Sequence, residues 1–561
     1  MRPAVLTRVL ASVLLLGACS YLGFLKPPTV PRERGRATVE HGAALVPAST
    51  PAARTGGQDW PTYNRTLTGE RYTPLAQIDR SNVGGLRKVC RFHTGERVPM
   101  QAGPVMVDGT VYLTTARRTY AIDATTCALR WKARYDYRPS PPFDLGVNRG
   151  VAYLDGRLFR GANDGRVYAL DAATGRELWN VRLGSPERGE TFPAAPVAWR
   201  GRVFIGNAGG DNLGVTGRMM ALHAETGGVV WTFDIVPRAG PAAATWPLET
   251  EVVPRAGGAT WTSYALDTIA GLLYVPTGNA APDFAAELRP GRNLHTVSVI
   301  ALDAKTGVLR ASYQLLERDW HDWDAAAAPA LIRTRAGTSL VVEAGKDGHV
   351  YGIEPEGGFR YRTAVTTLFN VDAPLTAEGT RFCPGVNGGV EWNGPSYSRS
   401  ADMLYVGAID WCTTVEVMHP DSLRGRDGMP WTGSSSRFRP FGEPDSTRRG
   451  WLTALDAETG RMRWRYESAT PLVAGVTSTG GGLVFTGDLN GAVLAFDDRD
   501  GTLLWKDETG LPIGGGVVSY AVNGRQFVAV AAGLHAPVTW QLRSGPAELI
   551  VYSLPAPGGE D

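Results

Sequence analysis

One phrase recurs along this chain: Ala-x-Asp-x-x-Thr-Gly-x-x-x-Trp. It reads AIDATTCALRW from Ala121, ALDAATGRELW from Ala169, ALHAETGGVVW from Ala221, ALDAETGRMRW from Ala454 and AFDDRDGTLLW from Ala495. Weaker copies are ALDAKTGVLRA at Ala301 and GIEPEGGFRY at Gly352. Around Gly165, apolar and polar residues alternate up to Leu170 and again after Glu177, so both arms read as strands. Asp171, Thr174 and Gly175 between them are turn chemistry: the Asp side chain accepts from backbone N–H groups further on, and Gly accepts positive φ. Trp179 then falls on an outer strand, free to dock on the next unit. A strand-built repeat of roughly 40–50 residues means a β-propeller, because one blade cannot bury both its faces and a ring of them can.

Seven copies are visible, and two long spacings, from Ala221 to Ala301 and from Gly352 to Ala454, read as blades with insertions. LRKVCRF (Leu86–Phe92) and ELIVYSLP (Glu548–Pro555) are lone strands near the two ends. Pairing them closes the ring and removes its sheet edges. The expected fold is therefore all-β, an eight-bladed propeller over residues 58–561, with seven blades as the alternative count.

A net charge of +2 argues against nucleic acid as partner. At the N-terminus, Arg2 and Arg8 precede an apolar run, Val9–Leu16, that is too short to span a bilayer. The following LGAC resembles the lipoprotein signal of bacteria, with Cys19 as the acylated residue anchoring the protein to a membrane. Ser20 after it points to the outer membrane, and so to a periplasm-facing protein of the bacterial envelope. Residues 20–57, rich in Pro, Ala, Thr and Arg, read as a flexible tether. Of the five cysteines, four remain for the oxidising compartment, and they allow three connectivities. The expected pairs are Cys90–Cys127, from closing strand to first-blade turn, and Cys383–Cys412, flanking one hairpin; four free thiols are the alternative.

Between the repeats stand polar clusters that packing does not require: AGGDN to Asn212, GGATW to Trp261, PTGN to Asn279, HDWD to Asp324, GKDG at Lys346 and GGVEW to Trp392. In their order these stretches resemble the quinoprotein dehydrogenases that use pyrroloquinoline quinone (PQQ), closest to the alcohol and polyvinyl-alcohol branch, over nearly the whole chain from Gln58. The resemblance implies Asp211, Asn279 and Asp324 as calcium ligands, Trp261 as the floor under the quinone, and Glu391 and Trp392 as further lining of the cofactor cleft. It implies Asp324 as the base taking the alcohol proton while hydride passes to quinone C5, and Lys346 as the cation beside the reactive carbonyl. Hard oxygen ligands suit Ca²⁺, which acts as a Lewis acid; a placed cation stabilises developing negative charge.

The chain departs from the family pattern in places. No adjacent cysteines occur in TTARRTY (Thr114–Tyr120), and Ala162 and Ala208 stand where a Thr and a Ser would bond the quinone's carboxylates. Arg117 or Arg118 are candidates to replace those contacts. Ala326 stands where lanthanide-using members carry a second aspartate, so calcium is the expected metal. His321 reads as base, ligand or packed loop residue. With no CxxCH for haem, electrons would pass to a separate carrier, a cytochrome c or a membrane quinone, and not to NAD or oxygen. The competing expectation is a non-catalytic, lipid-anchored propeller scaffold of the outer-membrane assembly type.

Overall fold

The computed structural model describes residues 37–41, 58–136, 145–250, 253–426, 428–435 and 443–555. The signal segment and Cys19 lie outside them. No helix among the described residues is long and apolar enough to cross a membrane.

Eight sheets, each with four antiparallel strands, follow one another along the chain as the blades of a propeller. The first blade runs from Val105 to Tyr135, the second from Ala152 to Arg182, the third from Val197 to Asp234 and the fourth from Ala265 to Gln314. The fifth runs from Ala330 to Ala364, the sixth from Ser396 to Ser468 and the seventh from Thr477 to Glu508. The eighth takes Val517–Val522, Arg525–Ala532 and Glu548–Ser553 from the C-terminal end and Arg87–His93 from the N-terminal end. Those last two strands pair antiparallel, Cys90 opposite Val551 and His93 opposite Glu548, so the ring closes as the sequence predicts. In each of the first seven blades the phrase supplies the third strand, the turn and the start of the fourth. Asp171 Oδ1 accepts from Thr174 N–H at 2.9 Å and from its hydroxyl at 2.7 Å.

Part of the expected tether is a strand. Ala37–His41 forms a fifth strand on the rim of the first blade, pairing antiparallel with Leu129–Tyr135. That rim strand alternates polar and apolar residues, and adding a strand covers its unpaired backbone groups.

Adjacent blades meet through a repeated dock. Trp131 Nε1 donates to Ala172 O at 3.1 Å, and its ring lies against Gly175, where a Cβ would stand 2.5 Å from the indole. Trp179 does the same to Ala224 O and Gly227, Trp231 to Ala304 O and Gly307, and Trp464 to Asp498 O and Gly501. Tyr361 substitutes a phenol, donating to Ala457 O at 3.1 Å over Gly460. Each glycine has φ near +70°, so any side chain there is both strained and blocked by the ring.

The seam between eighth and first blades uses different chemistry at the same two positions. Trp131 lies opposite Ala121 just before a bulge; Cys90 lies opposite Val551 in the same register. Cys127 holds the glycine position of the phrase, at φ +59°. The two are joined as a disulfide, with Cα atoms 5.8 Å apart. At ring closure a covalent bond thus replaces the tryptophan and the glycine beneath it. The second expected bridge, Cys383–Cys412, is also present and sits at the end of a two-stranded ladder of Thr380–Phe382 and Thr413–Val415.

Replacing both Cys90 and Cys127 by Ser should destabilise the protein by about 2–4 kcal/mol, as a cross-link of this span does. Cys90→Trp with Cys127→Gly should recover part of that loss by restoring the dock. Chemical denaturation of the three proteins reads both effects.

Candidate active site

Every site residue lies on one of two kinds of connection: the turn from second to third strand within a blade, or the link that enters a blade. Asp211 is on the former in the third blade, Asn279 and Asp283 in the fourth and Lys346 in the fifth. Trp261, Asp322 and Asp324, and Glu391 and Trp392 are on the links entering the fourth, fifth and sixth blades. In a ring of up-and-down blades these connections share one face.

Asp324 is fixed on both oxygens. Its Oδ1 accepts from the Asn279 backbone N–H at 2.8 Å, and its Oδ2 from Lys346 Nζ at 3.2 Å. Lys346 Nζ also donates to Asp322 Oδ2 at 3.2 Å. Burial works against the lysine's charge, but Asp322 and Asp324 outweigh it and hold its pKa well above the usual value. Gly278 makes room for this arrangement: a Cβ there would stand 2.8 Å from Asp324 Oδ1.

Beside Asp324, carboxylate oxygens of Asp211, Asp283 and Asp322 converge within 4.8 Å of one another. Asn279 Nδ2 donates to Asp283 Oδ1 at 3.0 Å, which turns its carbonyl oxygen to other use. Asp283 is buried and Asp211 opens to solvent, though protein encloses it at longer range. Burial, then the charge of Asp324, lifts Asp211 to about 6. Burial and the neighbouring aspartates push Asp283 and Asp322 well above the ordinary carboxylate range. Carboxylates this close repel one another unless a cation sits between them.

The sixth-blade insertion braces the acidic loops. Trp431 N–H donates to Asp211 O at 2.7 Å, Leu213 N–H to Met429 O at 3.1 Å, and Phe284 N–H to Thr432 O at 2.8 Å. A single short stretch, residues 429–432, therefore holds both the Asp211 loop and the Asp283 loop.

Trp261 is half-buried and Trp392 buried, and the Arg149 guanidinium lies between them, 4.6 Å from the first ring and 5.5 Å from the second. Arg149 donates to Trp261 O at 2.8 Å and Gln101 Oε1 at 2.7 Å, while its buried Nε finds no partner among the described atoms. Burial lowers its pKa to about 10. Glu391 is raised to about 7 by burial, against the pull of Lys346.

The structure thus brings together all the residues expected from the sequence and adds Asp283, Asp322 and Arg149. Asp322 reads in sequence as a turn acid, and it does adopt φ +62°; Asp283 is not singled out by the sequence. The signal that could have found them is the density of acids in APDF and HDWD. Of the proposed replacements for missing contacts, Arg118 is paired with Glu96. Ala162 and Ala208 are buried. His321 is packed, stacking on Trp323 at 3.9 Å and meeting Phe382 edge-on.

These groups fit a metal ion and an anionic, flat cofactor. Facing oxygens within 4.8 Å match ligands about 2.3–2.6 Å from a common hard ion. A buried guanidinium with an unpartnered N–H, beside a half-exposed indole, suits a planar anion.

A propeller with such a face is a quinoprotein by class, and comparison with known proteins agrees. A family profile described as "PQQ: Glucose/ethanol/alcohol dehydrogenase, beta-propeller domain" matches residues 60–359. One described as outer membrane protein assembly factor BamB matches only residues 448–557. The dehydrogenase subunit of alcohol dehydrogenase (quinone) from Gluconacetobacter polyoxogenes is 32% identical, covering 85% of this chain and 71% of that protein. The solved quinohemoprotein alcohol dehydrogenase ADHIIG of Pseudomonas putida HK5 superposes with TM-score 0.78 at 27% identity, over 90% of this chain and 82% of that one. A europium-containing methanol dehydrogenase gives 0.76 at 25% identity, over 89% and 98%. The chain belongs to the PQQ-dependent alcohol dehydrogenase family, an enzyme family and not the scaffold alternative.

Gly278→Ala should leave the fold intact and push the Asp324 carboxylate aside, lowering turnover by about 100-fold, the usual cost of a displaced reacting group. Steady-state kinetics beside a melting curve would check it.

Proposed function

We propose that this chain oxidises an alcohol with Asp324 as the base and passes the electrons to a separate carrier. The observation that supports the reading is the double hold on Asp324: Asn279 N–H on one oxygen, Lys346 on the other, beside the carboxylate seat. PQQ, when bound, supplies the hydride acceptor, and the metal ion supplies Lewis acidity. Asp324 receives the hydroxyl proton of the substrate at a carboxylate oxygen whose direction is already set. Lys346, its charge secured by two aspartates, stabilises negative charge that grows beside it. Trp261 and Trp392 supply flat surfaces, and Arg149 between them meets carboxylate groups. Asp211, Asn279 and Asp324 are the metal ligands the resemblance implies.

The purified chain should take up PQQ in a metal-dependent way, seen in the quinone's absorbance, and reduce a dye acceptor when given alcohol. Asp324→Asn should cut turnover by about a thousandfold or more while leaving the melting curve unchanged. An Asn variant that turns over normally would remove Asp324 as the base. No PQQ uptake under any metal would overturn the functional reading.

Location belongs to the same proposal: a periplasm-facing enzyme held to the envelope, on its outer membrane, by acyl chains on Cys19. What supports it is the LGAC box after a short apolar run. Cys19→Ser should move the protein from the membrane to the soluble fraction and remove the lipid mass from its N-terminal peptide. A membrane-bound Ser variant would refute the anchor.

A further inference from the structure

The chain joins its first blade at a defined place. The fourth strand of that blade, Leu129–Tyr135, runs from the turn on the far face up to the face that carries the site. Ala37–His41 lies antiparallel on it, with Ala37 opposite Tyr135 and His41 opposite Trp131, and Glu40 pairs with Lys132 at 2.7 Å. The segment therefore enters at the site-face end of the rim. Arg117 is beside it, its carbonyl accepting from the Tyr135 N–H at 3.0 Å.

We propose that one corner of the site face, at the seam of the eighth and first blades, rests on an anionic lipid bilayer. The inference extends the location proposed above and is independent of the dehydrogenase reading.

Three observations carry it. The first is exposed apolar surface. Leu145 is 61% exposed on the link leaving the first blade, and Val538 is 60% exposed on the turn from second to third strand of the eighth. The loops that bear them adjoin a common neighbour: Gly146 faces Pro99, Pro99 bridges to Leu534, and the His535 N–H donates to Val98 O at 3.0 Å. Apolar tips beside cations are the surface that a bilayer interface takes up.

The second is charge. Arg97 and Arg543 stand on these same loops, exposed and with no acid partner among the described residues, and Arg117 is exposed at their edge. The acids of this corner are taken: Glu96 by Arg118, Asp136 by Arg134 and Glu548 by Arg91. Elsewhere on the site face exposed arginines stand among exposed acids, Arg318 near Glu287, and Arg424 and Arg426 near Asp421. The corner is thus a basic end of the face, and arginines near an anionic lipid surface draw a protein to it.

The third is position. The segment leading from Cys19 enters the propeller at this corner, so an anchor there raises the effective concentration of these loops at the bilayer. Two apolar tips and three arginines bind weakly by themselves. They orient an anchored protein, and an unanchored one leaves the membrane on fractionation.

Sedimentation with lipid vesicles tests the proposal on the full chain carrying Cys19→Ser, which removes the acyl anchor. At low salt this chain should bind vesicles of phosphatidylglycerol and phosphatidylethanolamine at least about tenfold better than vesicles of phosphatidylcholine, and high salt should erase the difference. Arg97→Ala with Arg543→Ala should weaken binding about tenfold or more, as should Leu145→Asp with Val538→Asp. Ile269→Asp, at a bare apolar tip on the opposite face, should leave binding unchanged. Melting curves confirm that the variants fold. Equal binding to both kinds of vesicle, or corner variants that bind as well as their parent, would overturn the proposal. Corner variants that keep vesicle binding but slow the reduction of an acidic cytochrome c would assign the corner to a protein partner instead. Binding is read without turnover, so a chain that takes up no PQQ yet binds these vesicles sinks the dehydrogenase reading and supports this one.

Discussion

The contact between a tryptophan and a glycine of the next blade is the constraint on which the rest depends. It recurs at Trp131–Gly175, Trp179–Gly227, Trp231–Gly307 and Trp464–Gly501. It fixes each blade against its neighbour through one hydrogen bond and one close aromatic face. The site residues come from links and turns of the second to sixth blades. No blade holds a site alone, so the spacing of the carboxylates is a property of the seams. Where chain ends meet and no phrase exists to continue the pattern, a disulfide takes over at the same two positions.

Electrostatics then decides what such a face can do. Burial raises Asp283, Asp322 and Glu391, and mutual repulsion adds to it. Lys346 answers part of that charge by bonding two aspartates at once. Arg149, in turn, is buried between two indoles with an N–H to spare. The face therefore has an acidic half that calls for a cation and a basic half that calls for an anion. Few ligands satisfy both, and a metal bound together with an anionic planar quinone is one that does.

The ring was legible because its signal is local and repeated: strand alternation, a capped turn and a tryptophan at fixed offset. The closing strands were legible because two lone strands had no partners elsewhere. Both disulfides followed from which strands and turns the cysteines occupied. Site residues were legible where the resemblance named them, as with Asn279, Asp324 and Lys346. Asp283 was not, because an Asp after Pro in a loop reads as turn chemistry, and only the fold shows what lies opposite. Arg149 sits in an unremarkable VNRG stretch, and its value comes from Trp261 and Trp392, which lie far along the chain. The tether was misread at Ala37–His41 because five residues are too few for periodicity to declare a strand that exists only against a neighbour.

In sequence the long spacing from Gly352 to Ala454 reads only as a blade with an insertion, and a surface loop is the kind of segment a family varies to change its substrate. The backbone of this insertion instead grips the loops of Asp211 and Asp283 from across the ring. Such a segment cannot be lengthened, trimmed or exchanged without unsettling the two carboxylates it steadies. Divergence toward new alcohols would be channelled into other parts of this face, and the insertion would change only in step with the acids beneath it.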